Sequence, residues 1–250
     1  RNNIIIFPEE TKNNILTTND NKNNKNLSTN GSYLKYEKAY INTKRAIVVV
    51  NKIKLNDMEK IKNEIKESIQ VKSAILNDQN LLIKINEVCK IVVDTYNKGN
   101  KTIFAGNGGS AADSQHLAAE FVSRFYFDRP GLNSLALTTD TSILTAVGND
   151  YGYENLFSRQ IEAVANKGDV YFAISTSGNS PNIIKSIKAA KNKGVITVGL
   201  TGNKKNKMSD LCDITISVPS ASTPRIQESH ILIGHIICGI VEEIIFYEYK

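Results

Sequence analysis

Cysteine is scarce in this sequence: Cys89, Cys212 and Cys238 stand far apart among 250 residues. That spacing excludes a disulfide framework and every CxxC-type metal or redox motif. No apolar run approaches the roughly 18–20 residues that span a bilayer. A signal-peptide core is lacking too, since Ile4-Ile5-Ile6-Phe7 is brief and Pro8 stops it. Neither a G-x-G-x-x-G fingerprint nor a G-K-[ST] tripeptide occurs, so neither a dinucleotide nor a nucleoside triphosphate is indicated. No internal repeat of solenoid length is present. These absences lead to the expectation of a soluble, reduced, cytoplasmic protein without a membrane partner.

Net charge is also scarce on most of the chain. The net charge is +6, yet residues 1–57 carry ten Lys/Arg against five Asp/Glu, and the remainder is close to neutral. A basic arm can bind polyanions, but an Asn/Lys-rich one without arginine clusters or interleaved aromatics reads as solvated chain. Nucleic acid is therefore not an expected partner. Apolar residues at 41% and charged residues at 22% are ordinary globular values. A chain of this length buries a real core in one large or two small domains.

What is present divides at about residue 57. Positions 2–30 hold ten asparagines and almost no hydrophobic periodicity, too little apolar area to offset the entropy of ordering. Residues 1–56 are read as an extension of unknown role, largely disordered, with one short strand at 45–51 that has no partner in its own segment. A first residue of Arg1 fits either a fragment or a processed product. From 57 to 250 the pattern is regular. The spacing predicts helices over 58–70 and 73–97, then strands at 102–105, 133–138, 169–176, 195–200 and 212–218. Helices are expected between them at 111–125, 141–147, 156–165 and 180–193, with a long last helix from 224 to about 249. Apolar strands alternating with amphipathic helices make an α/β fold, a doubly wound, flavodoxin-like five-stranded parallel sheet covered on both faces. Ligands of such sheets sit beyond the C-terminal strand ends, near the switch point.

Two loops occupy that position. Gly106-Asn-Gly-Gly-Ser110 joins a strand directly to a helix; glycines allow close backbone approach, and amides at a helix start favour an anion. The plainer reading is a tight turn. The second loop, Ser175-Thr-Ser-Gly-Asn-Ser-Pro181, gathers four hydroxyls, a glycine and a helix start, with Pro181 suited to the first turn. Neutral donors there suit a phosphate monoester, the alternative being an elaborate helix cap. Two such loops in one sheet favour a sugar phosphate.

Histidine is rare as well, with three in the chain. His116 and Glu120 lie four apart and so share a helix face. Gln227 and His235 lie eight apart, about 80° out of alignment, so both can reach a site two turns long. His235 sits in the apolar run Ile231-Leu-Ile-Gly-His-Ile-Ile-Cys238, either as a satisfied core residue or as a ligand. Two imidazoles, a carboxylate and an amide oxygen would make a zinc shell. His230 points about 140° away from His235 and is read as structural.

These residues carry a specific resemblance. Ala105-Gly-Asn-Gly-Gly-Ser-Ala-Ala-Asp-Ser-Gln-His-Leu-Ala-Ala-Glu120 resembles the signature of the phosphoheptose isomerases, enzymes with a sugar isomerase (SIS) domain. So do Leu137–Ser142, Gly148–Gly152, Ser175–Ser180 and Arg225–His235, in unbroken order from about Asp57 to the C-terminus. The resemblance implies a homotetramer with zinc-containing active sites at subunit interfaces, one Zn²⁺ per subunit. It implies interconversion of sedoheptulose 7-phosphate and D-glycero-D-manno-heptose 7-phosphate, the first step toward nucleotide-activated heptoses of the kind used for lipopolysaccharide or capsule. On the family pattern the metal ligands are His116, Glu120, Gln227 and His235. Substrate contacts fall on Asn107, Gly108, Gly109, Glu120, Asn149, Asp150, Ser175, Thr176, Ser177, Ser180 and Gln227. One departure is Pro224, where some members carry a polar residue.

The implied chemistry moves a proton between C1 and C2 through an enediol. Glu120 would abstract it, His235 would serve the oxygen side, and the metal would polarise the two oxygens. Groups that both ligate and move protons require ligand exchange during turnover. The Ser/Thr loop would anchor the distant phosphate and thereby position the reacting end. The competing expectation is a non-catalytic SIS protein, either an adaptor for the bacterial replication initiator DnaA or a sugar-phosphate sensor. The four potential metal ligands favour the enzyme, because an adaptor has no physical need of them.

Overall fold

The computed structural model describes residues 43–249, with side chains from 57 to 248. Expectations for residues 1–42 lie outside the described residues. By internal contacts the chain falls into two units, Arg1–Lys62 and Asn63–Lys250. The first helix, α1 (Thr43–Asn77), is followed by α2 (Gln79–Asn97). The strand expected at 45–51 is helical instead. A helix pairs its own backbone groups, whereas a β-branched run with no neighbouring strand leaves them unpaired. The break between the two helices falls at Asp78 rather than near residue 71, because the Asp78 carboxylate caps α2 by accepting from Leu81 N at 3.0 Å.

Beyond α2, five strands alternate with helices. They are β1 (Thr102–Gly106), α3 (Gly109–Val122), β2 (Ser134–Ala136), α4 (Thr141–Tyr151), α5 (Leu156–Val164), β3 (Val170–Ile174), α6 (Pro181–Asn192), β4 (Ile196–Gly202), α7 (Lys207–Leu211), β5 (Ile214–Val218) and α8 (Thr223–Ile245). The short α7 and a 3₁₀ turn at Tyr153–Asn155 have no counterpart in the sequence reading; each is too short to show a period. The sheet is parallel throughout, in the order β2-β1-β3-β4-β5. This is the doubly wound arrangement expected, with its switch point between β1 and β3.

Alternation along the strands divides the core into two layers. Phe104, Phe172, Val198, Leu200 and Ile216 pack under α2, α3 and α8, with the Phe104 and Phe172 rings stacked 4.7 Å apart. Ile103, Ala105, Tyr171 and Ala173 face α5 and α6 on the other side. Fully burying each large side chain contributes about 1.5–3 kcal/mol. Tyr171 is tolerated in the second layer because its hydroxyl lies 2.7 Å from Ser186 Oγ. Among the described residues no helix is long and apolar enough to cross a membrane.

Candidate active site

Helices α3 and α8 approach closely where Gly234 meets Leu117; a Cβ on Gly234 would fall 2.5 Å from Leu117 Cδ2. A side chain at that crossing would have to displace the buried Leu117 side chain. The approach brings His235 Nε2 to 2.9 Å from His116 Nε2, which in turn lies 3.0 Å from Glu120 Oε1. One ligand atom from each of the three residues lies within 4.8 Å of the others. A tetrahedral ion with bonds of about 2.0–2.1 Å needs ligand atoms roughly 3.3 Å apart, so two imidazole nitrogens and a carboxylate oxygen at these distances fit a divalent metal of zinc type. The ring of Phe125 lies 5.5 Å from that of His235. Burial, and then the neighbouring His116, hold the His235 pKa below the usual imidazole range, while Glu120 opposes them. A neutral imidazole is the form that binds metal.

The fourth expected ligand lies elsewhere within the chain. The Gln227 side chain covers Gly109, where an added Cβ would meet its Nε2 at 2.4 Å. Eight residues separate Gln227 from His235, about 12 Å along the helix axis. Pro224 occupies the first turn of α8, a position that needs no amide hydrogen. His230 is buried, with Nε2 3.3 Å from the Thr201 carbonyl oxygen; burial pushes its pKa down to about 4, so it stays neutral and structural.

The end of α3 is held by a buried ion pair. Arg129 Nε donates to Glu242 Oε1 at 2.9 Å, both side chains being 1% exposed. The same guanidinium donates to the carbonyls of Glu120 at 2.8 Å and Phe121 at 2.6 Å. The Glu242 carboxylate accepts the amides of Phe125 at 2.8 Å and Tyr126 at 2.6 Å. These bonds replace those of a continuing helix, which is why α3 stops at Val122 rather than near residue 125. They also fix the main chain of Glu120 and the loop that carries Phe125.

The two candidate phosphate loops are neighbours because β1 and β3 pair, with Gly106 opposite Ile174. Gly108, at φ 57°, caps α3 and turns the chain between Asn107 and Gly109. In the second loop Ser175 Oγ lies 3.1 Å from Ser180 Oγ and 3.5 Å from Ser177 Oγ. Ser180 precedes Pro181 at the start of α6, yet its hydroxyl makes no capping bond to the helix. That separates the loop from an ordinary cap and leaves hydroxyls beside a helix N-terminus, the setting an anion requires. Thr176 is tied through its carbonyl to Gly202 N at 3.2 Å. Asn107, Tyr153, Ser180, Asn182 and Lys185 line one cleft of about 690 Å³, within the range of small-molecule sites. Asn149 and Asp150 are exposed near the end of α4, where Asn149 Nδ2 donates to Asp150 Oδ1 at 2.7 Å. Because α4 continues to Tyr151 instead of stopping near 147, both stand on a helix and not in a loop.

The SIS domain family matches residues 52–202. A phosphoheptose isomerase of Aneurinibacillus thermoaerophilus is 65% identical over 186 residues, 74% of this chain and 94% of the relative. Phosphoheptose isomerase 2 of Campylobacter jejuni is 62% identical over 74% of this chain and 92% of its own length. The structure of phosphoheptose isomerase from Neisseria gonorrhoeae superimposes with a TM-score of 0.70 at 38% identity, covering 74% of this chain and 98% of that one. The chain belongs to the phosphoheptose isomerases, within the SIS domain family. The isomerase activity expected from its motifs is the one for which these relatives are named.

Against that family background, several site residues escape sequence reasoning. Asn182 and Tyr153 bond to Asn107, and Lys185 lines the cleft while pairing with Glu154 at 3.4 Å. The carboxyl of Asp113, one turn before His116, has a buried Oδ2 with no hydrogen-bond partner, and burial raises its pKa to about 6 against the opposing effect of His116. Arg129 and Glu242 lie 113 residues apart, and no periodic pattern marks them. Only Asn182 had a local signal, following Pro181 at the start of a helix.

Proposed function

We propose that residues 57–250 form a phosphoheptose isomerase domain that interconverts sedoheptulose 7-phosphate and D-glycero-D-manno-heptose 7-phosphate, upstream of nucleotide-activated heptoses. The single observation that carries the reading is the convergence of His116, Glu120 and His235 on one point of the α3–α8 face. An adaptor or sensor has no use for such a donor set.

In this reading His116, Glu120 and His235 would hold Zn²⁺, and Gln227, which within one chain lies beside Gly109, would complete the shell across a subunit interface. A bound divalent ion supplies Lewis-acid polarisation of the C1 and C2 oxygens. Glu120 takes a proton from C1 of the ketose and returns it to C2, while His235 exchanges the proton between the two oxygens through the enediol. The hydroxyls of Ser175, Thr176, Ser177 and Ser180, with the amides at the start of α6, bind the phosphate. Asn107, Gly108 and Gly109 orient the sugar chain between the two ends, and Asn149, Asp150 and Gln227 contribute further substrate contacts. Holding both ends makes proton transfer effectively unimolecular.

The enzyme works as a homotetramer in the cytoplasm with active sites at subunit interfaces. Support for self-association comes from the exposed apolar side chains Ile65, Ile69 and Leu76 along α1, and from Val122 and Ile236 on the helices that carry the trio. Such a surface is costly to leave in water. The test is isomerisation of sedoheptulose 7-phosphate by the purified chain, with and without a chelator, beside Glu120→Gln. Turnover that falls with both treatments supports the reading. A metal-replete tetramer without turnover overturns it and favours the DnaA-adaptor or sensor alternative.

A further inference from the structure

Asn107 carries one amide whose two ends look alike in shape but are opposite in chemistry. Its orientation decides whether the cleft meets an N–H donor or a carbonyl acceptor. A chain of four contacts fixes that orientation, starting from a group that cannot be reversed. The backbone N–H of Ile183 donates to Asn182 Oδ1 at 3.0 Å. A main-chain amide is always a donor, so the atom of Asn182 facing it must be oxygen. The same Oδ1 accepts from Asn107 Nδ2 at 3.0 Å, and Asn182 Nδ2 donates back to Asn107 Oδ1 at 2.8 Å. Tyr153 Oη then donates to Asn107 Oδ1 at 3.0 Å. Both lone pairs of the Asn107 oxygen are used, and one N–H of its nitrogen remains.

Reversing the two amides together would keep their mutual bonds but set Asn182 NH₂ against the Ile183 N–H, donor against donor. Asn182 is 1% exposed, so no solvent rearrangement relieves that conflict. Asn182 and Tyr153 both line the cleft with Asn107 and Ser180. Tyr153 comes from a different part of the chain, the 3₁₀ turn after α4, and is largely exposed.

We infer that Asn182 and Tyr153 are positioning residues that lock the Asn107 amide, so that it meets the sugar phosphate only as a hydrogen-bond donor. The ligand group it takes is an oxygen acceptor: a carbonyl, a hydroxyl oxygen or a phosphate oxygen. The inference rests on the proposed role of Asn107 in substrate binding. Neither residue touches substrate in this account; each acts through Asn107.

The experiment is calorimetric binding of sedoheptulose 7-phosphate to the full metal-loaded chain and to Tyr153→Phe, Asn182→Asp and Asn107→Ala, with the first two also made in the Asn107→Ala background. Tyr153→Phe removes one bond from an exposed ring and leaves the fold intact; binding weakens about fivefold. Asn182→Asp removes the donor to Asn107 Oδ1 and sets a carboxylate against it; binding weakens by about 30-fold or more. In turnover, the loss with Tyr153→Phe falls on KM, with kcat within about twofold. In the Asn107→Ala background Tyr153→Phe becomes silent, a coupling that a purely structural role does not produce, while Asn182→Asp keeps only the part of its loss that its charge beside the phosphate-binding start of α6 causes directly. Tyr153→Phe binding as tightly as the parent overturns the inference, and so does a Tyr153→Phe loss that persists in the Asn107→Ala background. A parent chain that binds no sugar phosphate overturns the inference together with the functional reading on which it rests.

Discussion

The two ends of the candidate site are built on opposite electrostatic plans. At the α3–α8 face, His116 stands within hydrogen-bond distance of both His235 and Glu120, three groups that carry or exchange protons, and is half exposed. They are steadied by a fully buried Arg129–Glu242 pair that reaches the carbonyl of Glu120. At the β1 and β3 ends the groups are hydroxyls, amides and helix starts, and the nearby cation, Lys185, is already engaged by Glu154 and Asn155. The contrast matches two tasks. Proton transfer needs groups whose charge can change, whereas holding a phosphate through a reaction needs donors that stay the same.

The largest expected effect tests the chemical end. Glu120→Gln keeps the shape and removes the proposed base; kcat should fall by about 10²–10⁴-fold, with sugar-phosphate binding by calorimetry within a few-fold. Loss of both would erase the distinction between the two ends. Chelation should act in the same direction, and readdition of Zn²⁺ should restore turnover.

Next comes the support beneath it. Replacing Arg129 with Met leaves the Glu242 carboxylate buried without its cation, and urea unfolding should report a loss of about 3–5 kcal/mol. The pair also sets an acid limit. Burial alone would raise the Glu242 pKa, but the amides of Phe125 and Tyr126 and the Arg129 guanidinium outweigh it and hold the carboxyl below its ordinary value. A depressed carboxylate contributes stability above its unfolded pKa, and that contribution is lost as pH falls through the folded value. Stability measured from pH 7 down through 4 should therefore decline, and Glu242→Gln should flatten the part of the decline due to this group.

The smallest effects belong to the phosphate end. Ser180→Ala and Thr176→Val each remove one neutral donor and should raise KM about fivefold, with kcat nearly unchanged. A fall in kcat equal to that of Glu120→Gln would mean that the loop takes part in proton transfer, and the division of labour would fail.

Much of this was legible before any coordinates. The strand–loop–helix signals at Gly106–Ser110 and Ser175–Pro181 rest on local chemistry, glycine freedom and helix starts, and local chemistry is written in adjacent residues. His116 and Glu120 are four apart on one helix, so their shared face follows from helical geometry. The misread elements are those whose competitor is distant or absent. The β-branched run 45–51 has strand propensity, but its conformation depends on whether another strand exists to pair with it. Helix α3 is cut short by Arg129 and by Glu242, the latter more than a hundred residues away.

Periodicity and motif therefore determined the layered α/β fold, the two candidate anion-binding loops, and the helices that bear His116, Glu120 and His235, because each depends on spacing along a few turns of chain. Tertiary structure decided which of these met. The pairing of β1 with β3 set the loops side by side, and Gly234 let α8 approach α3 closely enough for His235 to reach His116. It also carried Tyr153 and Asn182 to Asn107. Hydrogen bonds and close packing act over about 3–4 Å in space, and no spacing along the sequence encodes that distance for residues on separate elements.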